Sequence, residues 1–471
     1  MQKRPLLYSI YLISVLLSDM VLYNQSLYEI NMYSFLKYNM IIIMISIIWW
    51  VIVSYRVLSQ GFFRACSLFL ISYIIVHFQR YIDYLYYDID FYYSHQAIFK
   101  SCLLSSIGFH SLLLGYVNTR ISKKPRKIVH ENKCFNIRPL KYISYLFLVL
   151  FLFLGRNYLS NFNYGSTDMS STGFMYVQLL LEKFIYAVLI LSAYNFQQSS
   201  VRPKSFSVYF HSLGIGFTIC ILLFVVSIFF SGDRGPAIYM VIAYLCSAQM
   251  ATGKFISFKV CLVLLVTGGL IMSVMGIVRQ NKDNEDLQGQ SMVAYQELQD
   301  EESIIPYTSE LAESVRTLHA AVEYVPEQID HTKGVYSAAY ILQSIPFSSS
   351  FTQWLFPHSP YLGSTTLLTF LIQGDNKSSG VGTTCIADIY IDFGMLGVFV
   401  LMFLFGCLLS YCDVLWLSLK TLPWFVCACL FIVTVFAVYL PRSAMLFQMK
   451  NIVWLFVILS LYTLFSKRSL Q

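Results

Sequence analysis

The 471-residue chain is 57% hydrophobic and only 12% charged, with a mean hydropathy of +0.62. That balance excludes a soluble globule, which could not cover a core of this size with polar surface. The net charge of +7 calls for no nucleic-acid partner, because a membrane protein concentrates Lys and Arg in its cytoplasmic connections.

Apolar runs long enough to cross about 30 Å of hydrocarbon recur along the chain, and each must be helical because lipid offers the backbone no partner. About twelve are predicted, at 6–24, 38–55, 62–78, 98–117, 142–156, 173–194, 208–230, 235–250, 257–278, 384–409, 423–440 and 449–466. The reading is an all-α polytopic membrane protein. The first run follows Gln2-Lys3-Arg4, lacks a small-residue cleavage site and ends at Asp19, so it reads as an anchor.

Between the fourth and fifth spans lie Arg120, Lys123, Lys124, Arg126, Lys127, Lys133, Arg138 and Lys141 against Glu131 alone, which predicts a cytoplasmic connection. Counting both ways, Arg56, Arg202, Lys204, Lys254 and Lys420 fall on the same side. So do Lys3 and Arg4 at one end and Lys467 and Arg468 at the other, so both termini are predicted cytoplasmic. Eleven cysteines show no CxxC or Cys/His metal spacing; most lie in or beside apolar runs and read as packing residues, and no metal is expected.

Three parts follow: helices one to nine at 1–278, a large outer loop at 279–383 and helices ten to twelve at 384–471. The loop holds thirteen acidic and five basic residues. Within it, 308–324 places Leu311, Val315, Leu318 and Val322 at helical spacing behind a Thr308 cap, which predicts one amphipathic helix that could lie over the bundle as a lid. Gly334 to Phe347 is apolar but too short to span, and reads as re-entrant or interfacial. Residues 349–380, rich in Ser, Gly, Thr and Pro, read as irregular loop. No internal repeat of 20–50 residues appears.

The sharpest local signal is Ser231-Gly232-Asp233-Arg234-Gly235, a tight outer turn between the seventh and eighth spans where Arg234 breaks the positive-inside trend. Either its guanidinium fork, aided by the following helix N-terminus, holds a lipid diphosphate, or it simply meets Asp233 or a headgroup. Arg279 and Arg442 are two further outward cations, each readable as a headgroup anchor or as a share of one anion site. Near the tenth span, Asp388 and Asp392 are four apart and so share a helix face in the run from Gly380 to Gly397. They are either a general base or sugar ligand in a wet cavity, or a helix-dipole and interhelical hydrogen-bond pair. His358, and behind it His319 and His331, are outer histidines that could shuttle a proton or merely cap a surface. The Glu182–Lys183 pair reads as an interior contact or a boundary, and Arg64 as a snorkelling side chain. The first outer loop gathers Tyr81, Tyr84, Tyr86, Tyr87, Phe91, Tyr92 and Tyr93, either an interfacial belt or stacking surfaces for sugars. No P-loop, Rossmann, zinc or Ser-His-Asp signature is present in the sequence.

With the Ser231–Gly235 turn, the Gly334-to-Pro346 stretch and Tyr390-x-Asp392-Phe393-Gly394-x-x-Gly397 in place, the chain resembles the Wzy-type O-antigen and oligosaccharide repeat-unit polymerases. The plan of about twelve helices with one large loop before the last few matches as well. The resemblance implies a GT-C-like membrane glycosyltransferase working without metal, nucleotide or other cofactor. Its substrates would be undecaprenyl-diphosphate-linked oligosaccharides, taken from membrane lipid on the periplasmic side of a bacterial inner membrane. A chain-length regulator and a flippase of the same pathway are the partners it implies. It assigns diphosphate binding to Arg234 first, then Arg279, with Arg442 beside them. It leaves the catalytic proton to Asp388, Asp392 or His358, with Gly232, Asp233, Gly235, Tyr390 and Gly394 as supporting residues. The family often carries Asn at the position of Asp392, which makes Asp388 the better base. The rivals are an O-antigen ligase, a flippase for the lipid-linked unit, and a non-enzymatic assembly partner.

Overall fold

The structure is a computed structural model. It describes residues 3–25, 31–59, 61–122, 134–156, 172–199, 202–231, 235–264, 266–269, 302–345, 348–357, 361–375, 380–416, 419 and 422–468. Among these there is no strand. Four helices open the chain, α1 (Lys3–Tyr23), α2 (Met32–Leu58), α3 (Ala65–Tyr87) and α4 (His95–Ser122), followed by α5 (Arg138–Leu154) and α6 (Thr172–Gln198). Next come α7 (Phe206–Leu213), α8 (Ile215–Ser231) and α9 (Gly235–Thr252). The loop region carries α10 (Arg316–Tyr324), α11 (Val335–Gln343), α12 (Ser349–Leu355) and α13 (Ser364–Gln373). The chain closes with α14 (Cys385–Trp416), α15 (Trp424–Phe436) and α16 (Met449–Arg468).

Six described helices are long and apolar enough to cross a membrane: α1 to α4, α6 and α14. The predicted seventh span is a bent pair, α7 and α8, meeting at 95°. Gly214 between them has φ +86°, a left-handed backbone that a residue with a Cβ adopts only at a cost. Phe258–Gly269, α15 and α16 are shorter apolar helices, and the last part of the predicted ninth span lies outside the described residues.

The core lies between α4 and α14. The best α4 window is 94% buried, as expected of a helix that is apolar or small-polar all round and enclosed by neighbours. Close approach explains the pairing: a Cβ on Gly115 would sit 2.0 Å from the Phe403 carbonyl oxygen, and one on Gly406 would sit 2.0 Å from that of Leu112. Small residues thus let the two backbones touch, the usual basis of packing in lipid, where no hydrophobic force drives helices together.

Several expectations are corrected. Arg64 does not snorkel: it is fully buried, donates to the carbonyls of Gly61 (3.1 Å) and Asp413 (3.3 Å), and lies 4.7 Å from the Phe255 ring centroid. Residues 308–324 are not one helix. Instead a turn at Pro306–Thr308, a short helix at Ser309–Ala312, a second turn at Glu313–Val315 and then α10 succeed one another. Thr308 does not cap; its hydroxyl donates to Gln79 of α3 (2.6 Å), while the Ile304 N–H reaches Asp83 (2.9 Å). These polar ties pull the segment onto α3. The 349–380 stretch is not wholly irregular either, for it holds α12 and α13, the latter burying Leu367 and Leu368.

Candidate active site

The amino-terminal end of α14 meets the loop region, and the reason is a break in the helix. Gly394 has φ 65° and ψ −164°, a conformation essentially reserved for glycine. A Cβ on Gly397 would lie 2.2 Å from that of Phe393, so the elbow uses both glycines. At this elbow the Ile391 carbonyl accepts from the Thr332 N–H (3.0 Å), and His331 packs edge-on to Tyr390 with its Nδ1 3.4 Å from the same carbonyl. The Tyr390 hydroxyl donates to the Val325 carbonyl (3.0 Å) and accepts from Tyr23 (3.1 Å), tying α1, α14 and the loop together.

Asp392 is buried and accepts four hydrogen bonds from the start of α11: the Thr332 hydroxyl, the Tyr336 N–H (3.2 Å), the Ser337 N–H (2.8 Å) and the Ser337 hydroxyl (2.6 Å). α11 has Gly334 as its N-cap and no capping side chain of its own. A carboxylate borrowed from α14 fills that role and faces the positive end of the helix dipole.

Asp388, one turn earlier and also buried, faces other partners. It accepts from the Ser364 hydroxyl at the start of α13 and from the Met445 N–H (2.9 Å) in the turn between α15 and α16. The two carboxylates share α14 but bind different elements. Burial, followed by the charge of Asp388, pushes the Tyr340 phenol of α11 up to about 12, which keeps it neutral.

The α15–α16 turn also carries Arg442, half-buried, 3.8 Å from Glu310. Gly235 opens α9, and four residues on, Tyr239 packs its ring against Phe436 and Tyr439 while its hydroxyl accepts from Gln448 (3.3 Å). The start of α9 therefore packs on the turn that carries Arg442 and bonds to Asp388. Gly232, Asp233, Arg234, Arg279 and His358 lie outside the described residues.

The remaining outer candidates separate clearly. His319 is buried 2.9 Å from the Tyr81 hydroxyl, and burial depresses it to about 3, so it is neutral. Among the first-loop aromatics, Tyr81 is fully buried and Phe91 packs on His319, whereas Tyr86 and Tyr92 are exposed. Tyr92 borders a depression lined with Arg80, Asp90, Glu313, Arg316 and His319, where Arg80 and Glu313 lie 3.4 Å apart.

One constellation was missed in the sequence. Asp19, His110 and Ser46, from α1, α4 and α2, form a buried line with contacts of 3.4 Å and 3.0 Å. The Ser46 hydroxyl donates to the Ile42 carbonyl (2.9 Å), so it is engaged in helix packing and not poised as a nucleophile. Separations of 27 and 64 residues left no motif to find.

The profile of the family described as O-antigen polysaccharide polymerase Wzy matches residues 6–470. No curated protein and no solved structure matches the chain. With a match across nearly its whole length, on an all-helical frame of apolar helices, this multi-pass membrane chain belongs to the Wzy O-antigen polysaccharide polymerase family.

Proposed function

We propose that the protein joins undecaprenyl-diphosphate-linked oligosaccharide repeat units at the periplasmic face of a bacterial inner membrane. The observation that carries this reading is the meeting of Asp388 with the α15–α16 turn through the Met445 N–H, since that turn also carries Arg442. A carboxylate and an arginine held by one short segment are the minimum that glycosyl transfer from a diphosphate needs.

In this mechanism a hydroxyl oxygen of the acceptor repeat unit attacks the anomeric carbon of the donor glycan. The bond from that carbon to the diphosphate oxygen breaks, and the lipid diphosphate leaves with the bonding electrons. Asp388 takes the hydroxyl proton, and Arg442, with Arg234 and Arg279, stabilises the charge gathering on the leaving group. Direct attack inverts the anomeric carbon. The energy resides in the sugar–diphosphate bond, so no nucleotide is consumed. Asp392 serves differently, holding α11 in place, and that role accommodates Asn at this position in the family.

Glycan length tests the reading in a deletion strain complemented with wild type, Asp388→Asn, Arg442→Ala or Arg234→Ala, each checked for expression. The deletion and the three variants should carry a single repeat unit where wild type shows a ladder. Loss of all surface repeats in the deletion would instead point to ligation or flipping, and a normal ladder from Asp388→Asn would remove that residue as the base.

A further inference from the structure

We propose that Lys183 and Tyr186 of α6, with Lys450 of α16, form an intramembrane site for the phosphate or diphosphate group of a lipid, a deeper statement of the substrate reading above and dependent on it. Lys183 is fully buried, and its Nζ lies 3.0 Å from Glu182 and 4.9 Å from the Tyr186 ring centroid. Lys450 is half-buried, sits over the Phe447 ring at 4.5 Å and lies within electrostatic reach of both Lys183 and Glu182. Lys183 pairs with Glu182, and Lys450 adds a second amine near that pair, in a place where charge is costly to hold.

The second observation is independent of charge. The Tyr186 hydroxyl is buried and has no hydrogen-bond partner among the described residues. Buried polar groups are ordinarily paired, so an orphan hydroxyl beside two lysine amines marks a missing acceptor. Lys183, Tyr186 and Glu182 are buried, whereas Lys450 is half-buried. The cluster lies between the apolar helices α6 and α16, where an anion carried on a lipid has the readiest approach. Phosphate suits lysine, which meets it as a point charge. Lys450 follows Met445, the partner of Asp388, by five residues in the chain.

The test uses the purified full-length protein in detergent, with undecaprenyl diphosphate as the probe, phosphatidylglycerol as competitor and native mass spectrometry as the readout. Lys450→Gln should weaken binding about tenfold, the loss of one charged contact, and Lys450→Arg should retain it. Tyr186→Phe should weaken binding about threefold without lowering the melting temperature, since it deletes a hydroxyl that has no partner. Unchanged affinity in both Lys450→Gln and Tyr186→Phe would overturn the site and make the cluster a packing feature. Displacement of the probe by phosphatidylglycerol at equal concentration would overturn its assignment to the substrate, leaving a generic headgroup site. Lysine-dependent binding by a protein whose deletion leaves glycan length unchanged would instead sink the polymerase reading.

Discussion

Asp392→Asn and Asp392→Ala separate a capping carboxylate from a catalytic one. Alanine leaves the Tyr336 and Ser337 N–H groups without their acceptor at the start of α11. At about 1–3 kcal/mol for each unsatisfied donor, the local cost is about 2–6 kcal/mol, enough to detach α11 from α14. Asparagine keeps one oxygen and turns the other position into a donor, so one N–H loses its partner, at about 1–3 kcal/mol. Hydrogen exchange across residues 332–345, alongside glycan length in cells, reads both effects. Asp392→Ala should expose the segment and abolish the ladder, while Asp392→Asn should keep a ladder with modestly faster exchange. If Asp392→Asn is as inactive as Asp392→Ala while its exchange matches wild type, Asp392 carries the proton and the capping argument fails.

Gly394→Ala should lower the melting temperature and shorten the glycan ladder, because alanine at φ 65° and ψ −164° adds about 1–3 kcal/mol of backbone strain. Gly406→Val should abolish stable expression, measured by size-exclusion profile, since its Cβ would fall 2.0 Å from the Leu112 carbonyl oxygen. Burial lowers His319 from 6.5 to about 3, so the unfolded chain takes up a proton before the folded one does. Stability from this group is complete above pH 6.5 and falls on acidification toward pH 3, by up to about 1.4 kcal/mol per unit. Thermal melts at pH 7 and pH 5 should show a smaller acid loss for His319→Gln than for wild type. Glu310→Ala should leave polymer length near normal, since a part-exposed pair contributes about 0–1 kcal/mol, while Arg442→Ala should shorten it. Equal loss in both would make their ion pair, and not the arginine, the working unit.

Six of the predicted spans, a seventh as a bent pair, and the family resemblance were legible in the sequence, because long apolar runs and the Tyr390–Gly397 segment are local signals. The Gly394 elbow was less so: the sequence marks the glycine, but its left-handed backbone and the loop donors at Thr332 and Ser337 that meet it there are visible only in the fold. α12 and α13 were hidden by composition, since Ser and Thr in Ser364-Thr365-Thr366 suggested loop, although Leu367 and Leu368 turn inward together. The broken 308–324 segment depended on Gln79 and Asp83, more than two hundred residues away, and no local periodicity can report such partners. Their spacing put Asp388 and Asp392 one turn apart on α14, but their division between the α15–α16 turn and α11 emerged only from tertiary structure.

The most direct test of the central claim is polymerisation by the purified protein, supplied with a single undecaprenyl-diphosphate-linked repeat unit and no nucleotide. Wild type should give a ladder of lipid-linked oligomers with release of undecaprenyl diphosphate, absent in Asp388→Asn. A substrate left at one repeat unit by a protein that still restores the ladder to deletion cells would contradict it.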